Sequence, residues 1–483
     1  MKQTASFFII LSFLLTACSS NKLVVDRSQF LYDGVAVPTV QLEEYKSVQL
    51  RAGQDPELGV AMSISGGGSR SANFAMGVML GLEKLQLAST NALREVDYIS
   101  TVSGGGFAGG AYIGALYEHD LRGESKRFAL QSYFEECIED CLSHSYTKRL
   151  LRANFNPKLW FSHADDGDAL ERAVDDHVLG YRLRAKRLKE EKKHSKEGKH
   201  HVTALKSIVL GDLFVHKDST KQKVKYPMMF ANGSVFDKMV IFPFSPDILK
   251  SYKITGYKHR MKRIKGEDYN PYQVPLSVGI KASGSFPVLI SNTTLSSNFN
   301  EKRGHLHVID GAMTDNFGYY TALDVLKKDN RAKRKVLFVI DADNGGMLPT
   351  FSKKNKSISS IKVYRRLASS GLDARRMTAL SEIRNLKNLF GFEAVVFAFN
   401  VLLENNEAQA PKVILIKEES QRLIDLMKKD MESLTPLDLQ ILYALVMNVG
   451  TKYTITKREQ ELLVLTGQKV VALQADKVKR LLE

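Results

Sequence analysis

Ser103 stands in "TVSGG", directly after the apolar run "YISTV" and directly before the glycine-rich stretch "GGFAGGAYIGALYEH". A strand that ends on a serine and turns sharply into a helix projects the hydroxyl into the crevice at the carboxyl edge of a sheet, the geometry of a nucleophile elbow. Gly104 and Gly105 keep that turn tight and leave the hydroxyl open to a bulky ester. The helix start adds unpaired amide donors and the positive end of a dipole, both of which favour developing negative charge. Taken alone, the serine reads first as a helix cap in a glycine turn and second as a nucleophile.

A second strand-to-helix turn lies upstream. Gly66, Gly67, Gly68, Ser69 and Arg70 follow the apolar run "GVAMSIS", and exposed amides in such a turn bind an oxyanion or a phosphate. No Lys-Ser or Lys-Thr pair follows, as a P-loop needs, and the last glycine of the dinucleotide fingerprint is absent, so an oxyanion hole beside a serine is the better reading. Arg70 either fixes the loop, compensates charge, or is a solvated arginine at a helix start. Asp310 closes the run "HLHVID" and precedes Gly311, which puts a carboxylate at a strand end, where α/β sheets assemble their sites. None of the 11 histidines follows His307, so the serine, acid, histidine order of α/β-hydrolases is closed to this acid and a Ser-Asp dyad is the economical mechanism. His305 and His307 fall on the strand face opposite Asp310 and read as structural. Asp315, Asp341 and Asp343 read as turn formers or caps first and as reserve bases second.

The elements that must position these groups read as an α/β fold with a mainly parallel sheet, since strand-like runs alternate with helical stretches from Leu58 to about Asp343. The chain has 483 residues, 44% hydrophobic and 25% charged, which excludes wholesale disorder and leaves room for one large domain with additions. Residues 346–483 read as a largely helical C-terminal region, with Thr435 and Pro436 at one helix start and Thr456 and Glu459 as a capping box at another. An insertion at about 120–205 is polar and basic. Its densest part, "RLRAKRLKEEKKHSKEGKHH", has nine Lys or Arg against three Glu. The formal charge of +16 favours anionic partners; the insertion lacks the interleaved aromatics of a nucleic-acid surface, and phospholipid headgroups fit it better. Its three histidines make a poor metal tract, without thiols or a strong set of acidic ligands. Three cysteines are too few for a disulfide scaffold, and Cys137 and Cys141, four apart in a helical stretch, read as packed thiols.

At the N-terminus, Lys2 and an apolar run from Phe7 to Leu15 have the length of an export signal, shorter than a membrane-spanning helix. The sequence Leu15, Thr16, Ala17, Cys18 resembles a bacterial lipobox, which implies cleavage before Cys18 and acylation of that cysteine. Ser19 behind it resembles the sorting rule for the outer membrane of a bacterial cell envelope.

Together, "GGGSR" before a helix, "VSGG" at the elbow, "ASGSFP" at 282–287 and "DGAMTDNFG" at 310–318 resemble the patatin-like phospholipase family over roughly residues 58–345. That resemblance implies a three-layer α/β/α sandwich, Ser103 as nucleophile, Asp310 as its partner base and the 66–70 turn as oxyanion hole, without a metal or other cofactor. The organisation expected is a signal peptide at 1–17, a lipid-anchored tether at 18–57, the acyl-hydrolase domain at 58–345 and the helical region at 346–483. A phospholipid or other lipid ester is the expected substrate, and the membrane surface, reached through Cys18 and the basic insertion, the expected partner; nucleic acid is not. The chain departs from the family pattern at Thr101, where the elbow's first glycine usually stands, and at Ser71, in place of the last glycine of the oxyanion turn. Those departures motivate the alternative of a catalytically impaired, lipid-anchored binding or scaffold protein with the same fold.

Overall fold

The computed structural model describes residues 38–46, 53–123, 128–143, 166–186, 206–220, 224–259, 262–287, 290–298, 304–342, 375–403, 417–452 and 454–483. Cys18, Asp343 and the tract "KKHSKEGKHH" lie outside them, as does the side chain of Cys137. The compact body begins at Thr39.

The described strands form one ten-stranded sheet. In chain order they are β1 (Leu58–Ile64), β2 (Tyr98–Val102), β3 (Met228–Val235), β4 (Val240–Pro243), β5 (Ile254–His259), β6 (Lys262–Lys265), β7 (Thr293–Ser297), β8 (Gly304–Asp310), β9 (Arg334–Asp341) and β10 (Glu393–Ala398). The spatial order is β10-β9-β1-β2-β3-β8-β7-β5-β6, with β4 also on β3. From β10 to β3 all pairs are parallel. From β3 onward they are antiparallel. The parallel half is buried at every position of β1, β2 and β3, the mark of strands covered on both faces.

Helices α1 (Gly68–Lys84) and α2 (Gly104–Arg122) make the crossovers from β1 to β2 and from β2 toward β3, and α3 (Leu276–Ser283) packs on β3 beside α2. Right-handed crossovers running one way along the sheet put α1 and α2 on one face. After β8 the chain reverses direction through α4 (Tyr319–Lys328) to reach β9, on the far side of β1, so α4 covers the other face against β1, β2 and β9. Strand order therefore diverges at β1, and the crevice beyond the carboxyl ends of β1 and β2 is the place where a sheet of this kind opens to a ligand.

The C-terminal region is largely helical, as expected, with α5 (Lys417–Lys429), α6 (Pro436–Met447) and α7 (Lys457–Leu473). Thr435 and Thr456 cap α6 and α7, each in a capping box, with Pro436 at the first turn of α6. The region is also part of the main body: it supplies β10, parallel to β9, and lays α7 along α1. Two further readings are sharpened. Thr39–Lys46, expected in the tether, packs on the body, where the buried Tyr45 hydroxyl bonds to Asp247 and Lys328 Nζ donates to the Val40 carbonyl at 2.6 Å. Within the expected polar insertion the described segments 128–143 and 166–186 are largely helical and send Leu130, Tyr133, Leu142, Leu170 and Val174 into the core. Cys141 is buried there as a thiol.

Candidate active site

Ser103 follows β2 and starts α2 with φ 49° and ψ −120°, a conformation that side-chain-bearing residues rarely adopt. The strained turn is held from both sides. The Ser103 amide donates to Ser283 Oγ at 2.9 Å, and an ideal Cβ on Gly104 would stand 2.1 Å from the Gly68 carbonyl oxygen, so only glycine lets the two turns touch. The Thr101 departure is accommodated by the facing helix: a Cβ on Gly109 would meet Thr101 Cγ2 at 2.9 Å. Ser71, the second departure, is buried and donates its hydroxyl to the Ser65 carbonyl, tying α1 to the end of β1.

Asp310 reaches the same place by a route the sequence does not announce. β8 runs antiparallel to β3, so its carboxyl end points back toward the parallel strands. Register delivers the carboxylate: Asp310 pairs with Gly233, one residue beyond the Asn232 that pairs with Val102, level with Ser103. Ser234 Oγ clips the turn by donating to the Asp310 carbonyl at 2.8 Å, and the Asp310 amide donates to the Ser285 carbonyl at 3.0 Å. One carboxylate oxygen, Oδ1, accepts the Ala312 amide at 2.9 Å. The other, Oδ2, is buried without a hydrogen-bond partner of ordinary geometry. Complete burial pushes the pKa of this carboxyl up to about 7, against the smaller downward pulls of the Ala312 amide and of the Ser103 hydroxyl that lies against it.

Of the five residues of the 66–70 turn, two give their amides to structure: Gly66 to the Asn316 carbonyl at 2.9 Å and Ser69 to the Lys452 carbonyl at 2.8 Å. Arg70 is buried and donates Nη1 to the Val449 carbonyl at 3.0 Å. Among the described residues the amides of Gly67, Gly68 and Gly104 have no acceptor, which leaves them as the donors available to an oxyanion. Gly68, Ser69, Ala72, Ser103, Gly104, Phe107, Leu142 and Gly284 enclose a cavity of about 20 Å³. A far larger groove of about 840 Å³, between α1, α5 and α7, shares none of these residues.

The remaining candidates sit as turn formers or pairs. Asp315 is buried, accepts the Phe317 and Tyr320 amides, each at 2.9 Å, and is raised to about 6 by burial. Asp341 pairs with Arg376 at 2.6 Å. His307 meets Thr294 Oγ1 at 3.2 Å, up the strand from Asp310, and His305 is exposed. Among the described residues no group of three or more His, Cys, Asp or Glu converges as a metal site, and no helix is long and apolar enough to cross a membrane. Sequence reasoning gave no role to Ser283, Ser285, Asn316, Val449 or Lys452. The first two lie in the "ASGSFP" segment and tie the backbone of serine and acid respectively; the others act through backbone carbonyls, which carry no residue-type signature.

A family model described as patatin-like phospholipase matches residues 62–323. Among solved structures, human GIVD cytosolic phospholipase A2 is similar at 10% identity and TM-score 0.43, over 89% of this chain and 62% of that one. The same human protein in complex with methyl gamma-linolenyl fluorophosphonate is similar at 12% identity and TM-score 0.43, over 88% and 58%. With that inhibitor and terbium chloride the values are 12% and 0.41, over 89% and 59%. The chain thus spans about three fifths of the length of these proteins. No curated protein matches it.

Proposed function

The chain belongs to the patatin-like phospholipase family, and from that premise we propose that it hydrolyses carboxylic esters of phospholipids or related lipids through a Ser103–Asp310 dyad. The observation that carries this reading is the strained serine facing a buried carboxyl whose second oxygen is otherwise unpartnered. Ser103 Oγ attacks the ester carbonyl carbon while its proton passes to Asp310. The amides of Gly67, Gly68 and Gly104 receive the oxyanion, the leaving alcohol takes the proton back, and the acyl group stays on Ser103. Asp310 then deprotonates a water that attacks the acyl-enzyme, and the fatty acid leaves with the serine proton restored. A base that titrates near 7 is matched to this work at neutral pH.

The substrate side of the proposal extends to location. The N-terminal apolar run and the Leu15–Cys18 box support a lipoprotein held to the bacterial envelope, at the outer membrane, by acyl chains on Cys18, with the basic insertion turned to anionic headgroups. Incorporation of a labelled fatty acid that is lost in Cys18→Ser tests the anchor. Turnover of a phospholipid and labelling by a fluorophosphonate, both lost in Ser103→Ala, test the chemistry. Undiminished turnover in that variant overturns the dyad, and folded wild type that neither turns over ester nor labels would favour the non-catalytic scaffold.

A further inference from the structure

The C-terminal region grips the oxyanion turn at two points. Between α6 and α7 the Lys452 carbonyl takes the Ser69 amide at 2.8 Å, and that carbonyl occupies the space of a Gly68 side chain, 2.5 Å from an ideal Cβ at a residue whose φ is +60°. Earlier in the same connection the Val449 carbonyl takes Arg70 Nη1 at 3.0 Å, with Arg70 only 2% exposed. The connection is itself held. Lys452 Nζ lies 3.3 Å from Glu459 Oε1, and Glu459 closes the capping box with Thr456 at the start of α7. From there α7 runs so close to α1 that a Cβ on Gly77 would stand 2.1 Å from the Val464 carbonyl oxygen, and one on Gly467 2.5 Å from that of Phe74.

We propose that the Val449–Lys452 connection is the positioning element of the oxyanion turn, and that Arg70 is the positioning residue joining the two rather than a group that meets substrate. The inference rests on the lipid acyl hydrolase reading. The amides of Gly67 and Gly68 help only when aimed at the point where the oxyanion forms, and pre-set donors are what an oxyanion hole contributes. A bond on the Ser69 amide and another on the Arg70 side chain stop the first turn of α1 from rotating away from Ser103. Gly68 and Ser69 line the cavity at Ser103, whereas Arg70 does not. Its cation is directed to a backbone carbonyl of a region outside the residues that match the family model.

The test uses the full chain with Arg70→Met, Arg70→Lys and the double variant Thr456→Ala, Glu459→Gln, whose altered side chains lie at the surface end of the connection. Two substrates are compared: a neutral short-chain aryl ester and phosphatidylglycerol vesicles. Arg70→Met is expected to lose about 100-fold in kcat on both, with KM held within about twofold, the loss seen when an oxyanion donor is misplaced. Arg70→Lys recovers part of it, the double variant loses several-fold, and amide hydrogen exchange across residues 66–72 speeds up in the Met and double variants. A loss confined to the phospholipid, or one that appears as a raised KM, would put Arg70 on the substrate and overturn the proposal. Unchanged kcat and exchange in both variants would do the same, and if Arg70→Met does not fold the double variant decides. Wild type without turnover or Ser103 labelling ends the hydrolase reading alone, since the exchange comparison still decides whether the connection holds the turn.

Discussion

Replacing Asp310 by Asn separates the carboxylate's chemical task from its structural cost. Burial raises the pKa from the ordinary 3.8 to about 7, so between those values the folded protein holds a proton that the unfolded chain has released. Stability supplied by this group is complete below about pH 4 and falls as pH rises, until above pH 7 the charge is buried and the whole cost is present. A shift of about three units corresponds to roughly 4 kcal/mol. Asn keeps the oxygen that accepts the Ala312 amide and never ionises, so the variant should gain on wild type progressively from pH 4 to pH 8, by up to that amount, in urea unfolding followed at each pH. Turnover should move the other way: about a thousandfold loss in kcat for the variant, and for wild type a kcat/KM that rises with pH through an apparent pKa near 7. Ser103→Ala removes a contact that lowers the carboxyl's pKa, so its stability should begin to decline at the same pH as wild type and go on declining to higher pH. Parallel stability curves for wild type and Asp310→Asn would refute the claim that a buried, desolvated carboxyl is stored at this position.

Gly104→Ala drives a methyl to within 2.1 Å of the Gly68 carbonyl oxygen and should cost at least 100-fold in kcat as the two turns separate, measured beside its melting temperature. Asn232→Leu removes an amide that donates to Ser100 Oγ at 2.8 Å and accepts from Thr321 at 2.7 Å; about 3 kcal/mol of stability should be lost, with the groups left unpaired. Leu142→Ala widens a cavity of about 20 Å³, enough for little more than one water, and should raise kcat/KM for long-chain esters more than for short ones.

Much of the site was legible because glycine punctuates it. The two strand-turn-helix units around Gly66 and Ser103 follow from apolar runs meeting glycines, and a strand end followed by Gly311 marked Asp310. The position of that acid was legible and its direction of approach was not. Whether β8 runs with or against β3 depends on a remote partner, and the pairing of Asp310 with Gly233 appears nowhere in the local pattern. Likewise "EAVVFA" at 393–398 is an apolar run within helical sequence, and only its pairing with β9 makes it a strand. A β-branched Thr101 is comfortable in a strand unless the packed helix needs a glycine there, and the room for it comes from glycines one element later, on α2.

The order in which the chain emerges from the ribosome gives the α1–α7 contact a further meaning. Ser103 and Asp310 have both been translated by residue 310, yet the carbonyls that frame the turn beside them arrive only with Val449 and Lys452. A partly synthesised chain therefore has its reactive groups without their frame. On the proposed reading the oxyanion turn is the last part of the site to be framed, once α7 has closed over α1.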